Sequence, residues 1–176
     1  FICKKVIDEK QSLYYISSME RARFGGGCFW GVEEIFRHVP GVKKTTVGYS
    51  GGHTKNPSYE EVCGNNTGHA ETVELEFDPS EVSYSELLDV FWKNHDPTQW
   101  NRQGPDYGPQ YRSIIFYYTE AQKRSAEASK KNLENSGRFQ RPIMTEIVSA
   151  HALSFYPAEE YHQQYLVKHG AGSCHL

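Results

Sequence analysis

Three consecutive glycines, Gly25-Gly26-Gly27, run straight into Cys28 and the aromatic pair Phe29-Trp30, and the residues on either side obey different periods. Upstream, Ala22 and Phe24 alternate with Arg21 and Arg23, the two-residue period of a short strand. Downstream, Phe29, Val32, Ile35, Phe36 and Val39 recur at three- and four-residue spacing until Pro40-Gly41 stops them, the pattern of an amphipathic helix. A strand must therefore turn into a helix within the glycines, with Cys28 at or near the helix N-terminus. Glycine admits the positive φ that a tight turn needs. Unpaired N–H groups and the positive end of the helix dipole favour a thiolate at such a place. Cys28 reads either as a reactive thiol or as a small buried hydrophobe, and the turn alone leaves both open.

The remaining periodicities order the chain around this turn. Thr45, Val47 and Tyr49 predict a second strand, ended by Ser50-Gly51-Gly52. Residues 53–68 are loop-rich, with a short helix expected over 58–63. A third strand is expected over 72–78, where Val73, Leu75 and Phe77 point one way and Thr72, Glu74 and Glu76 the other. Ser83-x-x-Glu86 is a capping box, and Leu87, Leu88, Phe91 and Trp92 form the apolar face of the helix it opens. A long connection over 96–109 leads to a nearly continuous apolar run, 111–118, that suits a central strand. The order is β-α-β-β-α-β, so the expected fold class is α+β, a ferredoxin-like two-layer sandwich core. To it are added a polar helix over 119–137 opened by Thr119-x-x-Gln122, a strand over 143–148, and a last helix from Pro157 to about Lys168. Loops as long as 53–68 and 96–109 are usually functional.

At 176 residues the chain is expected to form one domain, over 19–176, with a mobile C-terminal tail. Residues 1–18 carry charges at Lys4, Lys5, Asp8, Glu9 and Lys10 between their apolar pairs, which excludes a signal peptide. They are expected to be an appended or dispensable extension. A net charge of -3 without a block of like charges gives no footprint for nucleic acid or an anionic membrane. No apolar run is long enough to span a bilayer. Four cysteines without a Cys-x-x-Cys do not make a disulfide framework, so a reducing, cytoplasmic compartment is expected.

By strand parity Glu71 begins the apolar face of Val73, Leu75 and Phe77. Burial there would keep it protonated, as a general acid requires, whereas a position past the strand end would leave it in solvent. Tyr49 ends one expected strand and Tyr111 begins another; each reads as a donor into a shared pocket or as a core tyrosine. Cys174, in a glycine-flanked tail, reads as a resolving thiol or as an exposed cysteine without a role. Cys63 reads as a buried, inert thiol. Cys28, Cys63, His69 and Cys174 lack the spacing of a zinc site, and no metal is expected.

Five ordered blocks carry a resemblance. They are Gly26-Gly27-Cys28-Phe29-Trp30-Gly31; Gly48-Tyr49-Ser50-Gly51-Gly52; and Thr67-Gly68-His69-Ala70-Glu71. The fourth is Asn101-Arg102-Gln103-Gly104 with Asp106, Gly108 and Gln110-Tyr111-Arg112-Ser113, and the fifth runs from Pro157 through Leu166. From Met19 to Cys174 the chain resembles the A-type peptide methionine sulfoxide reductases (MsrA). The resemblance implies a ferredoxin-like core and places the nucleophile on Cys28, the carboxylic acid on Glu71 and the pocket tyrosines on Tyr49 and Tyr111. It places the aromatics around the substrate's S-methyl group on Phe29 and Trp30, a substrate-anchoring acid on Asp106, and the resolving cysteine on Cys174. It implies the S epimer of methionine sulfoxide, free or in proteins, as substrate, thioredoxin or a similar dithiol protein as reductant, and no cofactor. A monomer is expected.

Two departures from the family pattern stand out. Ser173 replaces the aromatic that many members place before the tail cysteine, and no further cysteine follows Cys174 to relay a disulfide. The alternatives are a cysteine thiol peroxidase, which would set an arginine or threonine beside its nucleophile, and a non-catalytic aromatic peptide-binding module in which Cys28 is merely packed.

Overall fold

The computed structural model describes residues 19–170. The expected extension over 1–18, Ser173 and the tail cysteine Cys174 lie outside the described residues. Within them the chain runs β1 (Glu20–Gly25), α1 (Phe29–Arg37), β2 (Val42–Ser50), α2 (Tyr59–Cys63), β3 (Ala70–Phe77) and α3 (Tyr84–Lys93). It continues through β4 (Arg102–Gln103), β5 (Asp106–Tyr107), a 3₁₀ turn (Pro109–Tyr111), β6 (Ile114–Tyr117) and α4 (Glu120–Asn135). It closes with β7 (Glu146–Ser149), β8 (Phe155–Pro157), a second 3₁₀ turn (Glu160–His162) and α5 (Tyr165–His169).

Six strands form one mixed sheet in the order β7-β6-β1-β3-β2-β8, and β4 and β5 form a separate two-stranded ribbon. All neighbours in the large sheet are antiparallel except β6 and β7. The architecture is α+β. Register places Phe24 opposite Val73 and Ile115, Val47 opposite Val73, and Tyr49 opposite Glu71. One face of the sheet thus collects Ala22, Phe24, Val47, Val73, Leu75, Phe77 and Ile115, and the apolar stripes of α1 and α3 pack on it. Phe24 is stacked between Phe36 of α1 and Phe91 of α3 at 5.0 and 5.1 Å, which ties both helices to β1. On the opposite face the buried Arg23 guanidinium bonds Glu74, Ser50 and Tyr118.

The capping box at Ser83 and Glu86 forms on both sides, with Ser83 Oγ accepting from Glu86 N–H and Glu86 Oε2 accepting from Ser83 N–H. Thr119 caps α4 in the same way through its hydroxyl, but Gln122 turns inward. Its amide accepts from Tyr118 N–H and donates to Arg21 C=O, joining α4 to β1.

Three expected elements are corrected. The strand expected over 111–118 begins only at Ile114, because Pro109 sets the backbone for a 3₁₀ turn that takes in Tyr111. The strand expected over 143–148 begins at Glu146, because β6 offers partners only from there; Met144 N–H instead donates to Pro97 C=O. The single helix expected over 157–168 does not form. Pro157 closes the edge strand β8, whose lack of a ladder neighbour on one side accommodates a residue without N–H. Gln164, at φ 51°, then breaks the helical path before α5.

Candidate active site

Cys28 is the N-cap residue of α1, and its carbonyl accepts from the N–H groups of Gly31 and Val32. Two glycines make this position possible. Gly27 has φ 106°, and a Cβ there would lie 2.8 Å from the Gln103 side chain. A Cβ on Gly25 would lie 2.8 Å from the carbonyl oxygen of Glu71. The turn is thereby pressed against β3 on one side and the 96–109 connection on the other. A cavity of about 210 Å³ opens beside it, lined by Gly26, Gly27, Cys28, Gln103 and Asp106 among others.

Glu71 is 1% exposed, and its Oε2 accepts from the backbone N–H of Phe29 over 3.0 Å. The carboxyl group is therefore tied to the residue directly after Cys28, and the strand-parity reading of a buried Glu71 holds. Tyr49, its cross-strand neighbour, is fully buried. Burial pushes the Tyr49 hydroxyl well above the ordinary tyrosine range, and its bond to Glu159 and the charges of Glu159 and Glu71 push it further. That hydroxyl donates to Glu159 Oε2 over 2.8 Å. Tyr111 is half-buried on its 3₁₀ turn. Burial raises its pKa most, and Glu71, Asp106, Cys28 and Cys63 lie close enough to raise it further. Both tyrosines are neutral phenols. Cys28, Glu71, Asp106 and Tyr111 thus meet in one neighbourhood, brought there by α1, β3, β5 and the 3₁₀ turn.

Of the aromatic pair, Phe29 is buried, 5.8 Å from the Tyr49 ring, while Trp30 is half-buried and stacks on Tyr165 at 3.8 Å with an interplanar angle of 8°. The Trp30 indole N–H donates to His162 Nδ1 over 3.0 Å. Glu159, His162 and Tyr165 contact predicted site residues, although the sequence placed them only within the expected last helix and the fifth block, without a site role. The signal that could have found them is chemical: a Glu-x-x-His pair inside an aromatic-rich segment.

Cys63 is half-buried at the end of α2. Burial pushes its thiol up, although a bond with the Tyr59 hydroxyl offsets part of the effect. Both ring nitrogens of His69 are engaged, Nδ1 accepting from Gly52 N–H and Nε2 donating to Thr54 C=O, so His69 braces the loop between β2 and α2. Among the described residues, no group of three or more His, Cys, Asp or Glu side chains has a metal-holding arrangement. Among them, too, no helix is long and apolar enough to cross a membrane.

Residues 20–176 match the family model described as peptide methionine sulfoxide reductase. The chain belongs to this family. The peptide methionine sulfoxide reductase MsrA of Methanothermobacter thermautotrophicus is 59% identical over 161 residues, covering 92% of this chain and 94% of its relative. Among solved structures, methionine sulfoxide reductase A of Corynebacterium diphtheriae superposes with a TM-score of 0.79 at 41% identity, covering 89% of this chain and 78% of that one. Mxr1 of Saccharomyces cerevisiae in its reduced form gives a TM-score of 0.82 at 34% identity, covering 90% of each chain. In this family member the neighbourhood around Cys28 brings a thiol, a buried carboxyl group and aromatic side chains together in one place.

Proposed function

We propose that this methionine sulfoxide reductase works through Cys28, with Glu71 as its proton donor, on the S epimer of methionine sulfoxide in proteins or free. The observation that carries the reading is the bond from Phe29 N–H to the buried Glu71, which holds a carboxyl group beside the nucleophile's turn. A sulfoxide sulfur accepts a nucleophile once its oxygen is protonated or strongly hydrogen-bonded. Glu71 in its acid form delivers that proton, and a neutral Tyr111 adds a hydrogen bond to the same oxygen. Tyr49 joins as a donor once its hydroxyl leaves Glu159. Phe29 and Trp30 present apolar, polarisable surface to the S-methyl group, and Asp106 anchors the substrate at the cavity wall.

The steps balance without a cofactor. Thiol and sulfoxide give methionine and a sulfenic acid on Cys28, sulfur of the enzyme being oxidised as sulfur of the substrate is reduced. The Cys174 thiol displaces water from that sulfenic acid to form a Cys28–Cys174 disulfide. A thioredoxin-like dithiol then takes over the disulfide by thiol exchange. That Mxr1 is known in complex with Trx2 supports a protein reductant here.

The strand order β6-β1-β3-β2, antiparallel throughout with α1 and α3 on one face, supports a ferredoxin-like core carrying this site. A cytoplasmic, reducing setting, a dispensable segment over 1–18 and a monomeric enzyme complete the reading. The deciding experiment offers separated S and R epimers of a methionine sulfoxide peptide with thioredoxin recycling. Turnover of S alone is expected; turnover of neither epimer, with thioredoxin or with dithiothreitol, overturns the reading.

A further inference from the structure

The second 3₁₀ turn packs against Phe29 and Trp30, the two residues that follow Cys28. Glu159, just before it, accepts from Tyr49 O–H through Oε2 and from Tyr59 N–H through Oε1 over 2.9 Å. His162, at its end, is 1% exposed and ringed by Phe29, Tyr59 and Tyr161 at centroid distances of 5.1, 4.6 and 4.1 Å. An indole N–H can only donate, so His162 Nδ1 is the acceptor in its bond to Trp30 and the ring proton sits on Nε2. Nε2 has no hydrogen-bond partner among the described residues; Glu159 Oε2 is 3.9 Å away. A buried polar atom left unbonded is costly, and an apolar side chain of similar size would avoid the cost. Among the described residues the ring makes one hydrogen bond, the one from the Trp30 indole. The stack on Tyr165 holds one face of the Trp30 indole, and the bond to Nδ1 holds its N–H edge, so the two contacts together restrict its χ1 and χ2.

We propose that His162 is a positioning residue for the reaction, acting through Trp30: as a neutral acceptor it fixes the indole in the orientation that meets the substrate's S-methyl group. The assignment rests on the reading of Trp30 as a wall of the substrate pocket. It predicts an effect on substrate capture that depends on the indole N–H and on nothing else at position 162.

The test is a double-mutant cycle on a methionine-S-sulfoxide peptide, with KM from steady-state turnover and the rate of Cys28 oxidation from single turnovers at saturation. His162→Leu is expected to raise KM about fivefold, the worth of one net hydrogen bond, with the saturated rate within twofold of the parent. His162→Asn, whose Oδ1 stands on Cγ where Nδ1 does and can accept, is expected to recover most of the loss. In the Trp30→Phe background, which has no N–H to place, His162→Leu is expected to add nothing further. If the leucine variant does not fold, His162→Phe, which keeps a ring at the site but has no acceptor for the indole N–H, takes its place. Equal effects of the substitution in both backgrounds overturn the proposal, since the ring would then be acting by packing alone. Trp30→Ala separates the two layers: an unchanged KM overturns the wall reading and the positioning role together. A raised KM in Trp30→Ala with an unchanged KM in the His162 variants overturns the positioning role only.

Discussion

The backbone N–H of Phe29 donates to Oε2 of Glu71 across 3.0 Å, a bond between residues 42 positions apart that fastens the start of α1 to the start of β3. Glu71→Gln keeps an oxygen for Phe29 N–H and removes the transferable proton. The expected outcome is a loss of roughly 10²–10⁴ in the rate of Cys28 oxidation, the range for a positioned general acid, with the fold intact. Single-turnover kinetics on the S epimer check it; a loss below threefold would remove Glu71 from proton transfer.

Cys28 and Cys174 are separable by their kinetics. Cys28→Ser is expected to abolish reduction of methionine sulfoxide altogether. Cys174→Ser is expected to form the sulfenic acid and release about one methionine per chain, then stall when thioredoxin is the reductant, because the thiol proposed to convert the sulfenic acid to a disulfide is gone. Trapping with a sulfenic-acid reagent after one turnover reads both variants. Undiminished cycling of Cys174→Ser with thioredoxin would take Cys174 out of the mechanism.

How much of this was legible beforehand depends on the range of the interaction involved. Strand parity with Val73, Leu75 and Phe77, a purely local period, put Glu71 on the apolar face but left its burial open, which the pairing of β3 between β1 and β2 decides. The N-cap position of Cys28 followed from the meeting of a two-residue and a 3.6-residue period. Its proximity to Glu71 did not follow from either, because it arises from Gly25 letting β1 approach β3 closely. The helix expected over 157–168 gives way to a strand, a 3₁₀ turn and a short helix for a related reason. Three residues are too few to display alternation, and what makes Phe155-Tyr156-Pro157 a strand is the open edge of β2. Gln163 reinforces that docking from a distance, its side chain bonding both the N–H and the C=O of Val47. The partners of Tyr49 and Trp30 lie in that segment, so Glu159 and His162 stayed hidden together.

The stability of the site rests on a core residue that touches no substrate. Phe24 is fully buried and couples α1 and α3 to the central strand through its two stacks. Phe24→Ala is expected to cost about 3–5 kcal/mol, the usual range for emptying a buried phenylalanine site. Urea unfolding should show a lower midpoint with an unchanged slope. A cost below 1 kcal/mol would mean that α1 and α3 close over the gap.

Acid should weaken the fold through His95 at the base of the same turn. Its ring lies 4.1 Å from the Phe91 ring, and a Cβ on Gly26 would come within 3.2 Å of it. Nδ1–H donates to Phe91 C=O, and Nε2 accepts from the Ser113 hydroxyl, each over 2.7 Å. Burial lowers its pKa to about 4, against partial compensation from Phe91 C=O and Asp96. The sign follows from proton counting. Above about pH 6.5 the ring is neutral in both folded and unfolded chains and costs nothing. Between about 6.5 and 4 the unfolded chain binds a proton that the folded one does not, so stability falls as pH falls, by at most about 3 kcal/mol over the window. His69 and His162, also held low by burial, add in the same direction. Denaturant unfolding at pH 7 and pH 4.5, in the parent and in His95→Gln, isolates the share due to His95. The parent should lose more stability than the variant across that interval. Equal losses would show that the ring takes its proton in the folded chain as readily as in the unfolded one.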